Sequence, residues 1–228
     1  MEKKSSGISR LIVVTLMSLH IYTSGQQISI GPDVKMLALG DSYTIGESVL
    51  PEERWPHQFI GELISAGIDA SIPDYIATTG WTTQDLQKGM DTDLNRGKRY
   101  NLVSILVGVN NQYQGIPISS YEPDLIEIIE NALHIVGEDP SRVFILSIPD
   151  YAYTPFGKGK KSISKEIDQY NAINKRLAEA YSIPWIDITP ISRRGLADSS
   201  LVAADGLHPS AAQYRSWVSE LMPRLHLP

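Results

Sequence analysis

No cysteine occurs among the 228 residues of this chain. Disulfide stapling, thiolate metal centres and a cysteine nucleophile are therefore excluded. Basic residues are too few for a phosphate-backbone partner: Lys plus Arg number 20 against 26 Asp plus Glu, a net charge of −6. That balance repels nucleic acid, and no basic stripe compensates for it. No His-Glu-x-x-His segment is present, and no carboxylate cluster has metal spacing. Asp91, Asp93 and Asn95 alternate, but the downstream glutamate of a calcium loop is missing. Gly157 to Ser162 lacks the upstream glycine of a phosphate-binding loop and reads as a solvated basic turn. There is no Gly-x-Ser-x-Gly segment and no Asn-x-Ser/Thr sequon.

Long apolar runs are also scarce. Leu11 to Ile21 is the main one, and it is too short for a good membrane span. Lys3, Lys4 and Arg10 precede it, and the small residues Thr23, Ser24 and Gly25 follow. This order of basic, apolar and small residues reads as a cleaved secretory signal over residues 1–25. It predicts a protein exported to the periplasm or beyond, with no stable membrane span after cleavage.

The rest of the chain alternates. Val34 to Leu39, Ile68 to Ile76, Tyr100 to Val107, Arg142 to Ile148 and Trp185 to Ile188 read as short buried strands. Arg54 to Ala66, Thr83 to Met90, Tyr121 to Val136, Ile163 to Ala180 and Ser210 to Leu225 have helical apolar spacing. Strand and helix in turn predict a three-layer α/β/α sandwich with a central, mainly parallel five-stranded sheet. Ligands in such folds sit beyond the carboxyl ends of the strands. The loops beginning at Gly40, Gly80, Gly108, Pro149 and Thr189 are where chemistry is expected.

Ser42 follows the first strand in Leu39-Gly40-Asp41-Ser42. A serine there is ordinarily a cap or turn residue. It becomes a nucleophile only with a base to take its proton. Among five histidines, His20 lies in the leader, His226 near the end, and His57 and His134 in helical segments. His208 instead precedes the last helix, three residues after Asp205. That spacing can bring a carboxylate to one ring nitrogen, fixing the tautomer and stabilising the imidazolium. The second and third strands are followed by Gly80 and by Gly108-Val109-Asn110-Asn111, which offer a backbone NH and a neutral amide to a developing oxyanion.

Gly40-Asp41-Ser42, Gly80, Gly108-x-Asn110 and Asp205-x-x-His208, in that order, resemble the four blocks of the SGNH hydrolases, or GDSL lipase/esterase family. The resemblance runs from Val34 to the last helix, so residues 30–228 read as one such domain. It implies Ser42 as nucleophile, His208 as base and then acid, and Asp205 as its partner. It implies an oxyanion hole of the Ser42 NH, the Gly80 NH and the Asn110 side chain, with no metal or organic cofactor. The family's third block often ends in aspartate, where this chain has Asn111. The run GDSYTIGESVLPEERWP is similar to the secreted or envelope branch labelled lysophospholipase-like. The expected activity is hydrolysis of a small-molecule carboxylic ester, short-acyl or lysophospholipid in type. Carbohydrate O-acetyl ester hydrolysis, acyl transfer, and a catalytically silent glycan- or lipid-binding module remain open, as does the oligomeric state. Tyr43, Trp81, Tyr113, Tyr151, Tyr153 and Phe156 fall in the strand-end loops and are the candidates for substrate contact.

Overall fold

The computed structural model describes residues 26–92, 97 and 99–228. Residues 1–25, over which a cleaved signal is expected, and the Asp93 and Asn95 positions lie outside the described residues. In chain order the elements are β1 (Ile28–Ser29), β2 (Asp33–Val34), β3 (Met36–Gly40), α1 (Ser42–Ile45), α2 (Trp55–Ser65), β4 (Asp69–Ala70), β5 (Asp74–Ala77), α3 (Thr83–Thr92) and β6 (Leu102–Leu106). They continue as α4 (Val109–Tyr113), α5 (Ile118–Ile135), β7 (Val143–Leu146), α6 (Lys161–Ala180), β8 (Trp185–Ile186), α7 (Thr189–Ser192), α8 (Ala211–Leu221) and β9 (Leu225–His226).

The central sheet has five parallel strands in the order β5-β3-β6-β7-β8. Every residue of β3, β6 and β7 is buried. Strands covered on both faces read as continuous apolar runs, as these do. On one side α2 packs against α8. Trp55 and Phe59 of α2 place their rings 6.3 and 6.1 Å from Phe144 of β7. On the other side α3 packs on α5 and α5 on α6, with Tyr121 and Tyr170 edge to face at 4.7 Å. Fully burying a side chain such as Phe59 or Leu63 contributes about 1.5–3 kcal/mol. The expected sandwich is thus the observed one.

Several expected elements differ in detail. In the strand expected over Val34 to Leu39, Val34 belongs to β2, outside the central sheet, and β3 begins at Met36. The strand expected over Ile68 to Ile76 is two strands. β4 pairs with β2 outside the central sheet, β5 pairs with β3, and Pro73 between them cannot donate to a ladder. The fifth strand stops at Ile186 because the amides of Ile188 and Thr189 turn to Ser147 Oγ, at 2.8 and 3.0 Å. The last helix ends at Leu221, and the chain continues as β9, which pairs with β1.

Candidate active site

Each strand-end loop contributes one part of the site. After β3 the chain turns at once into α1. A Cβ on Gly40 would overlap Thr44 Oγ1 and the Leu106 carbonyl, so only glycine lets the turn lie flat on β6. Asp41 caps α1, its Oδ1 accepting from the Tyr43 amide at 3.0 Å. Ser42 is therefore the first helical residue, and its own NH is one of the donors a helix start leaves unpaired. Asp41 is 1% exposed, and burial pushes its carboxyl up to about 7 against the pull of the Tyr43 amide.

The second loop holds Gly80 at φ +84°. Its carbonyl accepts from Gln114 Nε2 at 2.9 Å, and the next carbonyl, Trp81 O, accepts from Asn110 Nδ2 at 2.9 Å. The glycine loop is thus clamped by two side-chain amides, one from α4 and one from the residue that follows it. The third loop turns at Gly108, where a Cβ would lie 2.6 Å from the Tyr121 hydroxyl. Asn111 is fully buried. Its Oδ1 accepts from the Thr83 amide at 3.0 Å, and its Nδ2 donates to Thr83 Oγ1 at 2.8 Å. Thr83 Oγ1 in turn donates to Asp124 Oδ2 at 2.8 Å. Asparagine both accepts and donates here, and the carboxylate of this hydrogen-bond relay is that of Asp124, beyond Thr83.

Asp205 and His208 share a tight turn. Asp205 Oδ1 accepts from the amides of Leu207 and His208 at 2.9 and 3.0 Å. Asp205 Oδ2 lies 2.5 Å from His208 Nδ1. The turn is pinned by an antiparallel bridge between Val202 and Pro209 and by the Ala203 amide donating to the His208 carbonyl at 2.8 Å. Ser210 then caps α8. Partial burial raises the Asp205 pKa, but His208, the Leu207 amide, the Ser48 hydroxyl and the His208 amide outweigh it and hold it at about 2. Asp205 is thus a carboxylate at neutral pH, and the ring nitrogen facing it carries the proton. The other described histidines lie elsewhere: His57 meets the Tyr75 hydroxyl at 2.9 Å, His134 pairs with Glu138 on an exposed helix end, and His226 belongs to β9.

These loops surround one cavity of about 260 Å³. Ser42, Tyr43, Thr79, Gly80, Val109, Asn110, Tyr113, Tyr151, Phe156, Leu207 and His208 line it. Ser42 and His208 are both buried, at 4% and 8% exposure, and no hydrogen bond joins the Ser42 hydroxyl to the ring among the described residues. Catalytic bonds of this kind are often long until substrate is bound. The Ser42 and Gly80 amides have no partner among the described residues, and Asn110 keeps its second amide hydrogen uncommitted. The arrangement offers a hydroxyl, an oriented imidazole and three NH donors around one space. Among the described residues no group of three His, Asp or Glu side chains is placed to hold a metal.

A family model described as GDSL-like lipase/acylhydrolase matches residues 38–216. The chain belongs to that family. As a GDSL acylhydrolase it is an ester hydrolase. Solved structures agree in fold. The acetylxylan esterase Axe2 from Geobacillus stearothermophilus is 19% identical with a TM-score of 0.67, over 87% of this chain and 95% of that one. A lipase/acylhydrolase from Enterococcus faecalis is 20% identical with a TM-score of 0.64, over 82% and 93%. The psychrotrophic esterase EstA from Pseudoalteromonas sp., inhibited by monoethylphosphonate, is 17% identical with a TM-score of 0.64, over 84% and 96%. No curated protein sequence matches the chain.

Of the aromatic candidates, Tyr43, Tyr113, Tyr151 and Phe156 reach the cavity of this GDSL hydrolase. Trp81 does not. Its ring lies on Gly89 of α3, which has no side chain to keep it away, and packs against the core. Tyr153 is likewise not among the walls. Val109, Thr79 and Leu207 line the cavity without having been singled out by sequence, because small aliphatic and hydroxyl residues in loops carry no chemical signature. No helix of the described residues is long and apolar enough to cross a membrane.

Proposed function

We propose that this hydrolase is a serine esterase working through an acyl-enzyme. The observation that carries the reading is His208, its Nδ1 2.5 Å from Asp205 Oδ2, lining the same cavity as Ser42, Gly80 and Asn110. Ser42 Oγ bonds to the ester carbonyl carbon while its proton passes to His208 Nε2. The resulting oxyanion accepts from the Ser42 and Gly80 amides and Asn110 Nδ2. The carbon–alkoxy bond then breaks, and His208 protonates the departing alcohol. Water adds to the acyl-enzyme by the same route, His208 taking its proton and returning one to Ser42 as the acid leaves.

Ser42→Ala is expected to fold and to lose p-nitrophenyl acetate turnover by at least about a thousandfold. An organophosphonate adduct should map to Ser42 by mass spectrometry. Labelling elsewhere, or retained turnover in the alanine variant, overturns the assignment.

The substrate class proposed is a short-acyl or single-chain, lysophospholipid-type ester. Beyond Ser42, Thr79, Gly80, Asn110 and His208 the cavity walls are aromatic and aliphatic, with no Lys, Arg, Asp or Glu among them. A specific observation favours a second reading. Tyr113 and Phe156 stand 59% and 46% exposed at the cavity, with rings available to stack on a sugar face, and an acetylxylan esterase shares the fold. A series of p-nitrophenyl acetate, butyrate, octanoate and dodecanoate separates the two, run beside acetylated xylose oligomers and lysophosphatidylcholine. Each methylene seated in an apolar groove contributes up to about 0.8 kcal/mol, so a long-chain site shows kcat/KM rising to dodecanoate. Acetate release from oligomers with little octanoate activity supports the carbohydrate reading. Product analysis with a sugar acceptor distinguishes transfer from hydrolysis. The order of basic, apolar and small residues in 1–25 supports export, which mass spectrometry of the mature amino terminus tests.

A further inference from the structure

The hydrogen-bond donors on Asp205 come from two places. Three belong to its own turn: the amides of Leu207 and His208 on Oδ1, and His208 Nδ1 on Oδ2. The fourth comes from 157 residues away. Ser48 Oγ donates to Asp205 Oδ2 at 2.7 Å, to the same oxygen that faces the imidazole. Resting on the esterase reading above, we infer that Ser48 is a positioning residue that fixes the Asp205 carboxylate and sets the basicity of His208.

The backbone at Ser48 supports this. Its φ is +69°, a left-handed conformation that favours glycine and that Gly46, two residues earlier, also adopts at +66°. A side chain retained in that conformation calls for a use, and the bond to Asp205 supplies one. The loop is anchored on both sides. The Glu47 amide donates to the Ser42 carbonyl at 3.0 Å, and Glu47 Oε2 accepts from Thr79 Oγ1 at 2.5 Å. One short loop thus leaves the nucleophile helix, touches the residue before Gly80, and ends on the partner of His208.

The electrostatic consequence has a definite sign. A hydroxyl donating to a carboxylate stabilises the charged form and makes it a weaker acceptor for the ring proton. Without Ser48 the carboxylate holds the imidazolium more strongly, so the ring stays protonated to higher pH. Asp205, whose side chain is 30% exposed, is also freer to turn toward solvent. The other titratable or charged groups around the pair are Tyr43 and Asp41 of the α1 turn, Glu47 beside Ser48, Arg54 before α2, Tyr214 of α8, and Tyr151 and the buried Asp150, which act on Tyr43. Burial raises all three tyrosines, which stay neutral, whereas Asp41, pushed up to about 7, titrates within the pH range of the rate profile. The ring must therefore be followed directly.

The test compares Ser48→Ala, Ser48→Gly and Ser48→Thr by pH–rate profiles on p-nitrophenyl acetate and by NMR titration of the His208 ring. Alanine and glycine are expected to move the acidic limb and the ring midpoint upward together by about half a pH unit. They should lower plateau kcat by roughly three- to tenfold, with KM within about twofold. Threonine keeps the hydroxyl and should restore both, whatever its β-branch does to the melting temperature. Glycine suits a φ of +69° and carries the test should alanine fold poorly. A wild-type limb, midpoint and kcat in the hydroxyl-free variants overturns the inference, as does a change that threonine shares. Ser42→Ala and His208→Ala are measured beside them. If these keep the rate, the esterase reading falls and takes this inference with it. If they lose it while the Ser48 variants match wild type, only Ser48 is misassigned.

Discussion

Two aspartates of this site are pulled in opposite directions, and each leaves a signature in stability. Asp41 is raised from 3.8 to about 7 by burial. Between those values the unfolded chain is ionised while the folded one stays protonated. Its contribution is therefore full below pH 3.8 and is lost as pH rises through about 7. Asp205 is lowered from 3.8 to about 2, so its contribution is present above 3.8 and is lost as pH falls through 2. Asn at position 41 keeps the cap on the Tyr43 amide but removes the buried charge. Asp41→Asn is expected to match wild type in urea unfolding at pH 4 and to exceed it at pH 8, by on the order of 2–4 kcal/mol. Asp205→Asn should show the reverse order, losing stability at pH 6 and little at pH 2. Equal offsets for Asp41→Asn at pH 4 and pH 8 would mean that Asp41 is ionised in the folded protein.

Short elements position the donors. Asn110 and Gln114 are four residues apart and face the same side of the turn that begins with α4, so their amides reach successive carbonyls, Trp81 O and Gly80 O. Asn110 clamps the loop and, in the proposed mechanism, also faces the oxyanion; Gln114 only clamps. Asn110→Ala should therefore cost about a hundred- to thousandfold in kcat, and Gln114→Ala only a few-fold, with KM nearly unchanged in both. Equal losses in steady-state kinetics would put the whole effect in the clamp. Such elements also show what was legible in the sequence. β3, β6 and β7 were, because both faces are buried and their residues run apolar without a break. The turns after Gly40 and Gly108 were, because close packing there tolerates no Cβ. The splitting of residues 68–76 was not, because β4 and β2 are two residues long and carry no period. Trp81 was placed in the cavity because its loop is there, while its ring goes where Gly89 leaves room. Ser48 gave no signal, since its partner lies 157 residues away and nothing local points to it.

Across the whole molecule the two ends of the sheet do different work. The cavity walls follow the carboxyl ends of β3, β5 and β6, where Ser42, Gly80 and Asn110 stand. At the other end, near the amino ends of the strands, the first and last strands of the described residues meet. β1 pairs with β9, and β1 packs on the short turn Pro140–Arg142 that leads into the amino end of β7. The Ile30 amide adds a bond to the His226 carbonyl at 3.0 Å, and Ile28 and Ile30 are buried beneath this pairing. Ending the chain at Arg224 removes β9, frees the backbone of β1 and uncovers part of those two isoleucines. Partial exposure of two aliphatic side chains costs about 1–3 kcal/mol, which for a domain of this size lowers the melting temperature by roughly 3–10 °C. No residue of β9 or β1 lines the cavity, so kcat/KM on p-nitrophenyl acetate should stay within about twofold of wild type at 20 °C below the new melting point. Calorimetry and steady-state kinetics on the truncated chain read the two quantities separately. A lower kcat/KM at full folding would mean that the β1–β9 pairing reaches the His208 turn through α8, the helix that lies between that turn and β9.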